Sequence, residues 1–259
     1  MITPEAPAPV IVMSRDGLKI ATYSWGTDDQ PTVVLVHGFA SSALLNFHAS
    51  GWVRDLVRSG YRVIAHDQRG HGASDKPHHP SDYTLELLVA DLIAVLDTYM
   101  IDETQYVGYS LGSRVGWQAA IDLPDRISRV VLGGIPDGDP LTRFRVDEAR
   151  RFLADGTPVD DRITNAYVTM AGAIAGNDLE ALVSLVEGMR GGAQPDPANP
   201  PTQPVLFATG SDDGILEKSK RLADATPQGS FFEIPGRHHF NAPVSRQFKD
   251  AALAFLAAT

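Results

Sequence analysis

The chain has 259 residues, 43% of them hydrophobic, and 32 acidic against 22 basic side chains give a net charge of −10. That length suits one α/β domain with an insertion, or at most two small domains. The acidic balance, with no Lys/Arg run, argues against nucleic acid as a partner, and the absence of cysteine excludes disulfide, thiolate and zinc–thiolate chemistry.

Residues 1–9, rich in Pro and Ala, read as a loose N-terminal arm with neither the basic start nor the apolar core of a signal peptide. No segment approaches the roughly 18 consecutive apolar residues of a membrane helix. The expectation is a cytoplasmic protein without membrane contact. Val10 to Met13 and Leu18 to Ser24 are strand-like runs around Arg15-Asp16-Gly17, a hairpin signal. Thr32 to Val36 is a continuous β-branched run, as expected of a third strand buried on both faces. A helix is predicted between Ala49 and Ser59, ended by Gly60, and a fourth strand over Tyr61 to Ala65. Leu85, Leu88, Leu92 and Leu96 mark one face of a helix through residues 84–99. Thr104 to Val107 is the fifth strand, residues 112–122 a helix, and Arg129 to Leu132 the sixth strand. Alternation of this kind predicts a doubly wound, mostly parallel sheet covered on both faces.

The alternation then stops. Residues 136–203 carry only helical signals, with Ile163, Ala166, Tyr167 and Met170 at one helical spacing and Leu179, Leu182, Val183 and Val186 at another. Val205 to Thr209 and Ser230 to Ile234 resume the strands, Glu217 to Ala225 forms the helix between them, and Pro243 to Ala258 a last helix. The simplest division is a core over 10–135 and 204–259, with 136–203 a small helical cap folded over the carboxyl ends of the sheet.

Between the fifth strand and its helix stands Gly108-Tyr109-Ser110-Leu111-Gly112. A serine between two glycines suits a sharp strand-to-helix turn that exposes its hydroxyl. A free serine hydroxyl is a weak nucleophile and needs a base, itself oriented by an acid. Pro235-Gly236-Arg237-His238-His239-Phe240 follows the last strand, and Gly210-Ser211-Asp212-Asp213-Gly214 follows the one before it. The order Ser, Asp, His at strand ends is that of α/β-hydrolases.

On these segments, together with His37-Gly38-Phe39 and Asp67-Gln68-Arg69-Gly70-His71-Gly72-Ala73-Ser74, the chain resembles an α/β-hydrolase fold serine hydrolase, carboxylesterase-like, along essentially its whole length. The resemblance implies an eight-stranded sheet and a cap after the sixth strand. It selects Asp213 over Asp212, since the family often carries Gly-x-x-Asp there, and His239 as the base, before an apolar residue. His238 then stands where glycine is usual, either beside the catalytic ring or, as we favour, facing solvent. Asp137 and Asp139, near a rival acid position, are read as turn residues. His71 is read as structural, His37 as hydrogen-bonded to its own loop, and His78-His79 as an exposed loop rather than a metal pair.

The resemblance implies a mechanism in which Ser110 attacks a carbonyl carbon, His239 takes its proton and Asp213 orients the ring. The backbone N–H groups of Phe39 and Leu111 are the expected oxyanion donors. No metal or other cofactor is implied. Phe39 and Leu111 are also expected to line an apolar pocket, with Tyr167 and Met170; Tyr109 either lines it or packs against the sheet. The expected partner is a small to medium, largely apolar ester. Lactone hydrolysis, carbon–carbon bond hydrolysis and a receptor-type role use the same constellation. Serine in place of aspartate as nucleophile argues against the dehalogenase and epoxide hydrolase branches.

Overall fold

The structure, a computed structural model, describes residues 5–258. Eight strands form one sheet: β1 (Val10–Met13), β2 (Lys19–Trp25), β3 (Thr32–Val36), β4 (Arg62–His66), β5 (Thr104–Tyr109), β6 (Ile127–Gly133), β7 (Val205–Gly210) and β8 (Gly229–Ile234). Their spatial order is β1-β2-β4-β3-β5-β6-β7-β8. β2 pairs antiparallel with both β1 and β4, and every other pairing is parallel. The expected arm lies partly outside the described residues; of the described part, the Glu5 carbonyl accepts from Trp25 Nε1 at 3.1 Å.

The alternation of side chains along a strand divides the core into two layers. Val34 and Val36 of β3 join Ile64, Tyr106, Leu132 and Phe207 on one face, with α2 (Leu85–Thr98) and α3 (Leu111–Asp122). Val33 and Leu35 join Val63, Val107, Val131 and Ala208 on the other, with α1 (Trp52–Arg58) and α8 (Arg246–Leu256). A parallel strand covered on both faces has no polar side, which is why β3 reads as five consecutive apolar or β-branched residues. α7 (Leu216–Ala225) joins β7 to β8.

Boundaries move where local chemistry intervenes. The helix expected from Ala49 begins at Trp52, because Leu44–His48 forms a π turn closed by the Ala49 N–H on the Leu44 carbonyl (2.8 Å). The last helix begins at Arg246 rather than Pro243, because Ser245 caps it by accepting from the Phe248 N–H.

Between β6 and β7 lie α4 (Val146–Asp155), α5 (Arg162–Gly172) and α6 (Leu179–Gly188). Phe144, Ala149, Val168, Val183 and Val186 form an apolar cluster of their own, while Ala181, Leu185 and Met189 of the same segment pack into the main core. The segment is also fastened by polar contacts. Ser184 Oγ donates to the His78 carbonyl (2.6 Å), and His78 lies 2.8 Å from Asp178 and 3.2 Å from Glu180. Among the described residues no helix is long and apolar enough to cross a membrane.

The most buried charge is Arg69, whose side chain is fully inaccessible. It forks onto both oxygens of Asp91 (2.7 Å each), reaches Asp16 at 2.8 and 3.0 Å, and donates to the Asp82 carbonyl at 2.8 Å. Burial pushes the Asp91 carboxyl up while Arg69 pulls it down, and Arg69 holds Asp16 below the usual range. Breaking such a pair leaves a charge without a partner. Arg69→Met should therefore destabilise the fold by about 3–5 kcal/mol, and Arg69→Met with Asp91→Leu should recover much of that loss. Urea unfolding of the single and double variants measures both.

Candidate active site

Ser110 sits at the β5–α3 junction with φ 53° and ψ −108°, a left-handed backbone that costs a non-glycine residue about 1–3 kcal/mol. The neighbouring glycines make the turn possible. A Cβ on Gly112 would lie 1.9 Å from the Val36 carbonyl oxygen, and one on Gly108 would lie 2.5 Å from that of Gly112. The turn is fixed from β6, whose Gly133 carbonyl accepts from both Ser110 N (2.8 Å) and Ser113 Oγ (2.8 Å).

The structure brings Ser110, His239 and Asp213 into one line. His239 Nε2 is 3.0 Å from Ser110 Oγ, and His239 Nδ1 is 2.8 Å from Asp213 Oδ2. A carboxylate only accepts, so Nδ1 carries the proton and Nε2 accepts a hydrogen bond from the Ser110 hydroxyl. The other Asp213 oxygen accepts the Ile215 N–H at 3.2 Å. The loops bearing the acid and the base are tied together: Asp212 N donates to the Arg237 carbonyl (2.9 Å), and Gly236 N to Ser211 Oγ (2.8 Å). Asp212 faces solvent, whereas Asp213 is 9% exposed. Asp137 is bound by Lys218 (3.3 Å) and Arg221 (2.9 Å), and Asp139 accepts the Gly191 N–H, whereas His239 is held by Asp213. His238 is exposed; its amide donates to Asn241 Oδ1.

Of the two readings of Tyr109, the buried one holds. The side chain packs between His239 and Phe248, and its hydroxyl donates to the His239 carbonyl at 2.5 Å. It supports the histidine loop and is only 5% exposed. Leu111 corrects a second expectation: its side chain is turned into the main core beside Val115, so only its backbone faces the serine turn. Phe39 is half-buried, and its ring meets Tyr167 of α5 at 6.2 Å and His71 at 6.1 Å. Tyr167 also meets Phe144 (6.3 Å) and Phe240 (5.9 Å), and burial near the Asp213 charge pushes its hydroxyl pKa up. Met170 packs with Ala40, Ala171 and Leu182.

The loop after β3 lies against the serine: a Cβ on Gly38 would be 3.4 Å from Ser110 Cβ. Its backbone is held by buried histidines. His37 Nδ1–H donates to the Gly38 carbonyl (2.8 Å), while its Nε2 accepts the Gln68 N–H (3.0 Å). His71 Nδ1–H donates to the Arg69 carbonyl (3.1 Å), and its Nε2 accepts the Ala40 N–H (3.0 Å). Each ring thus has both nitrogens engaged in its neutral form. Among the described residues neither the Phe39 nor the Leu111 amide donates to another protein group. His78 lies in an exposed loop, as expected, and chain folding brings it to Asp178 and Glu180, about a hundred residues away. Among the described residues no cluster has the ligands for a metal ion.

Sequence reasoning gave no role to Asn46, whose Oδ1 accepts the Gly38 N–H (3.2 Å), or to Asn177, whose Nδ2 donates to the Ala40 carbonyl (3.1 Å). Neither lies in a recognisable motif, and Asn177 reaches the loop from 137 residues away.

The family model described as "alpha/beta hydrolase fold" matches residues 31–158. The enol-lactonase from Burkholderia xenovorans LB400 superposes with a TM-score of 0.76 at 22% identity, covering 96% of this chain and 100% of that one. A thermophilic esterase from Thermogutta terrifontis superposes with a TM-score of 0.77 at 22% identity, covering 96% and 98%. With the eight-stranded sheet, these likenesses show that the chain has the α/β-hydrolase fold. In sequence it is similar to Epoxide hydrolase A of Mycobacterium tuberculosis, 31% identical over 141 residues, which are 54% of this chain and 42% of that protein. The chain thus spans less than half the length of this relative.

Burial drives the pKa of His71 down to about 3, and that of His66 down to about 3 with help from the nearby His37. Both folded values lie below the roughly 6.5 of an unfolded histidine. As pH falls below 6.5 the unfolded chain takes up these protons and the folded chain does not. Stability is therefore complete above pH 6.5 and is lost progressively down to about pH 3, at about 1.4 kcal/mol per pH unit for each histidine. His78, whose pKa is raised by its hydrogen bond to Asp178, works in the opposite sense but is half exposed and contributes little. Urea unfolding at pH 5 should show stability about 4 kcal/mol below that at pH 7. His71→Asn should flatten the slope, and equal stability at the two pH values would contradict this reading.

Proposed function

We propose that the chain is a serine hydrolase that cleaves small to medium, largely apolar carboxylic esters through an acyl-enzyme on Ser110. The observation that carries the reading is the line Ser110–His239–Asp213, with contacts of 3.0 and 2.8 Å. In the proposed cycle His239 Nε2 takes the Ser110 proton as Oγ adds to the acyl carbon, and Asp213 holds the resulting imidazolium. The Phe39 and Leu111 amides receive the developing oxyanion. Collapse expels the alcohol, which takes the proton from His239. Water, deprotonated by the same ring, then releases the acid. The aromatic mouth of Phe39, Tyr167 and Phe240, beside His239, favours an apolar acyl or alcohol part.

Relatives named epoxide hydrolases make that branch the rival reading. Chemistry favours the ester. A serine oxygen opening an epoxide would be left as a hydroxyalkyl ether, which water and a histidine base do not hydrolyse, whereas a serine ester turns over. A lactone presents the same acyl carbon.

The test is a panel of p-nitrophenyl esters of increasing acyl length, a lactone, a vinylogous 1,5-diketone and an aryl epoxide. Esters should be turned over, with Ser110→Ala lowering kcat on the order of a million-fold and leaving the melting temperature nearly unchanged. Ester hydrolysis that survives Ser110→Ala would overturn the assignment. Preference for the lactone or the diketone would change the substrate class while keeping the nucleophile.

A further inference from the structure

Three successive peptide units beside Ser110 are each held by one side chain. His37 holds the Gly38 carbonyl at 2.8 Å, His71 holds the Ala40 amide at 3.0 Å, and Asn177 holds the Ala40 carbonyl at 3.1 Å. The first of these units carries the Phe39 N–H. In a trans peptide the carbonyl and the N–H point to opposite sides, so drawing the Gly38 carbonyl onto His37 turns the Phe39 N–H the other way. A carbonyl that already accepts a hydrogen bond also polarises its own N–H into a better donor.

His37 and His71 belong to the sheet side of the molecule. Asn177 does not: it lies between α5 and α6, in the segment inserted between β6 and β7. Its Nδ2 donates to the Ala40 and Ala171 carbonyls, both at 3.1 Å. Two acceptors fix which way the amide points. Its own backbone is pinned on one side by Asn177 N donating to the Ile174 carbonyl (3.2 Å), and on the other by Asp178, which caps α6. Ala40 is strained, with φ 56°, and is buried against Ala171 and Leu182. A left-handed alanine persists only where its surroundings over-determine it. His71 holds one end of this residue and Asn177 the other.

We infer that Asn177 is a positioning residue for acyl transfer: by locking the Ala40 carbonyl it keeps the Phe39 amide, one residue back, in its donating orientation. Oxyanion stabilisation then depends on the seating of α5 and α6. The inference rests on the serine-hydrolase reading above and adds a residue to it. It also separates two roles of the inserted helices. Tyr167 meets the ring of Phe39, and Asn177 holds the backbone of the same loop.

The experiment compares the full chain with Asn177→Ala, the similarly sized but donor-free Asn177→Leu, and Ser184→Ala. The last removes a different tether of the same segment, the 2.6 Å bond to the His78 carbonyl. Steady-state kinetics on p-nitrophenyl butyrate are read beside inhibition by an alkylboronic acid, which forms a tetrahedral adduct on a reactive serine, and by butyrate, which does not. Both Asn177 variants should lose roughly 10- to 100-fold in kcat, with KM changed by less than about twofold. Boronate affinity should fall by the same factor and butyrate affinity should hold. Ser184→Ala should melt earlier with kcat unchanged. Wild-type kcat in either folded Asn177 variant, a loss confined to KM, or an equal kcat loss in Ser184→Ala would overturn the inference. If wild type itself neither turns over the ester nor binds the boronate, the serine-hydrolase reading fails instead.

Discussion

The close approach of β5, α3 and the end of β3 is the constraint on which the site depends. There is no room for a side chain at Gly112, where a Cβ would overlap the Val36 carbonyl at 1.9 Å, and none at Gly108. That contact forces the chain to reverse within one residue, and the residue at the apex is Ser110. Because β3 and β6 are the neighbours of β5, the loop after β3 and the carbonyl of Gly133 necessarily flank the serine. The strain at Ser110 is offset by hydrogen bonds from a sheet that is already complete, so the hydroxyl is presented without local flexibility.

Around this apex the protein invests in buried polar groups rather than apolar packing. Asp67 accepts from Ala43 N (2.7 Å), Ala73 N (2.8 Å) and the Tyr23 hydroxyl (3.2 Å), and a Cβ on Gly72 would collide with it at 2.1 Å. Gln68 donates to the His37 carbonyl, and His71 takes the Ala40 amide. The turn from Asp67 to Ser74 is thus a rigid bed for the loop that carries Phe39. Such a network is costly if any member is lost, and the neutral histidines within it link loop geometry to acid stability.

Much of this was legible in the chain. Buried parallel strands announce themselves as unbroken apolar runs, and the glycines around Ser110 mark the turn. The loops bearing Asp213 and His239 follow the last two strands, so chain order alone placed them near the serine. What stayed hidden depends on contacts across long sequence distances. Nothing around Asn177 signals that it meets Ala40, and His78 gave no sign of Asp178 and Glu180. The π turn at Leu44–His48 escaped because its closing hydrogen bond reaches back five residues rather than four, a difference that side-chain periodicity does not mark. Tyr109 was ambiguous and Leu111 was expected in the pocket for another reason: around a strand-to-helix junction nearby residues face opposite layers, Tyr109 one and Leu111 the other, and periodicity does not say which.

The central claim is that Ser110 becomes covalently acylated during turnover. Mass spectrometry of the intact protein, quenched in acid within milliseconds of mixing with excess p-nitrophenyl butyrate and followed by peptide mapping, tests it directly. The account expects one butyryl group per chain, confined to the peptide bearing Ser110 and absent from Ser110→Ala. An adduct on a carboxylate or another residue, or steady turnover by a chain that acquires no acyl group under conditions where deacylation is rate-limiting, would contradict it.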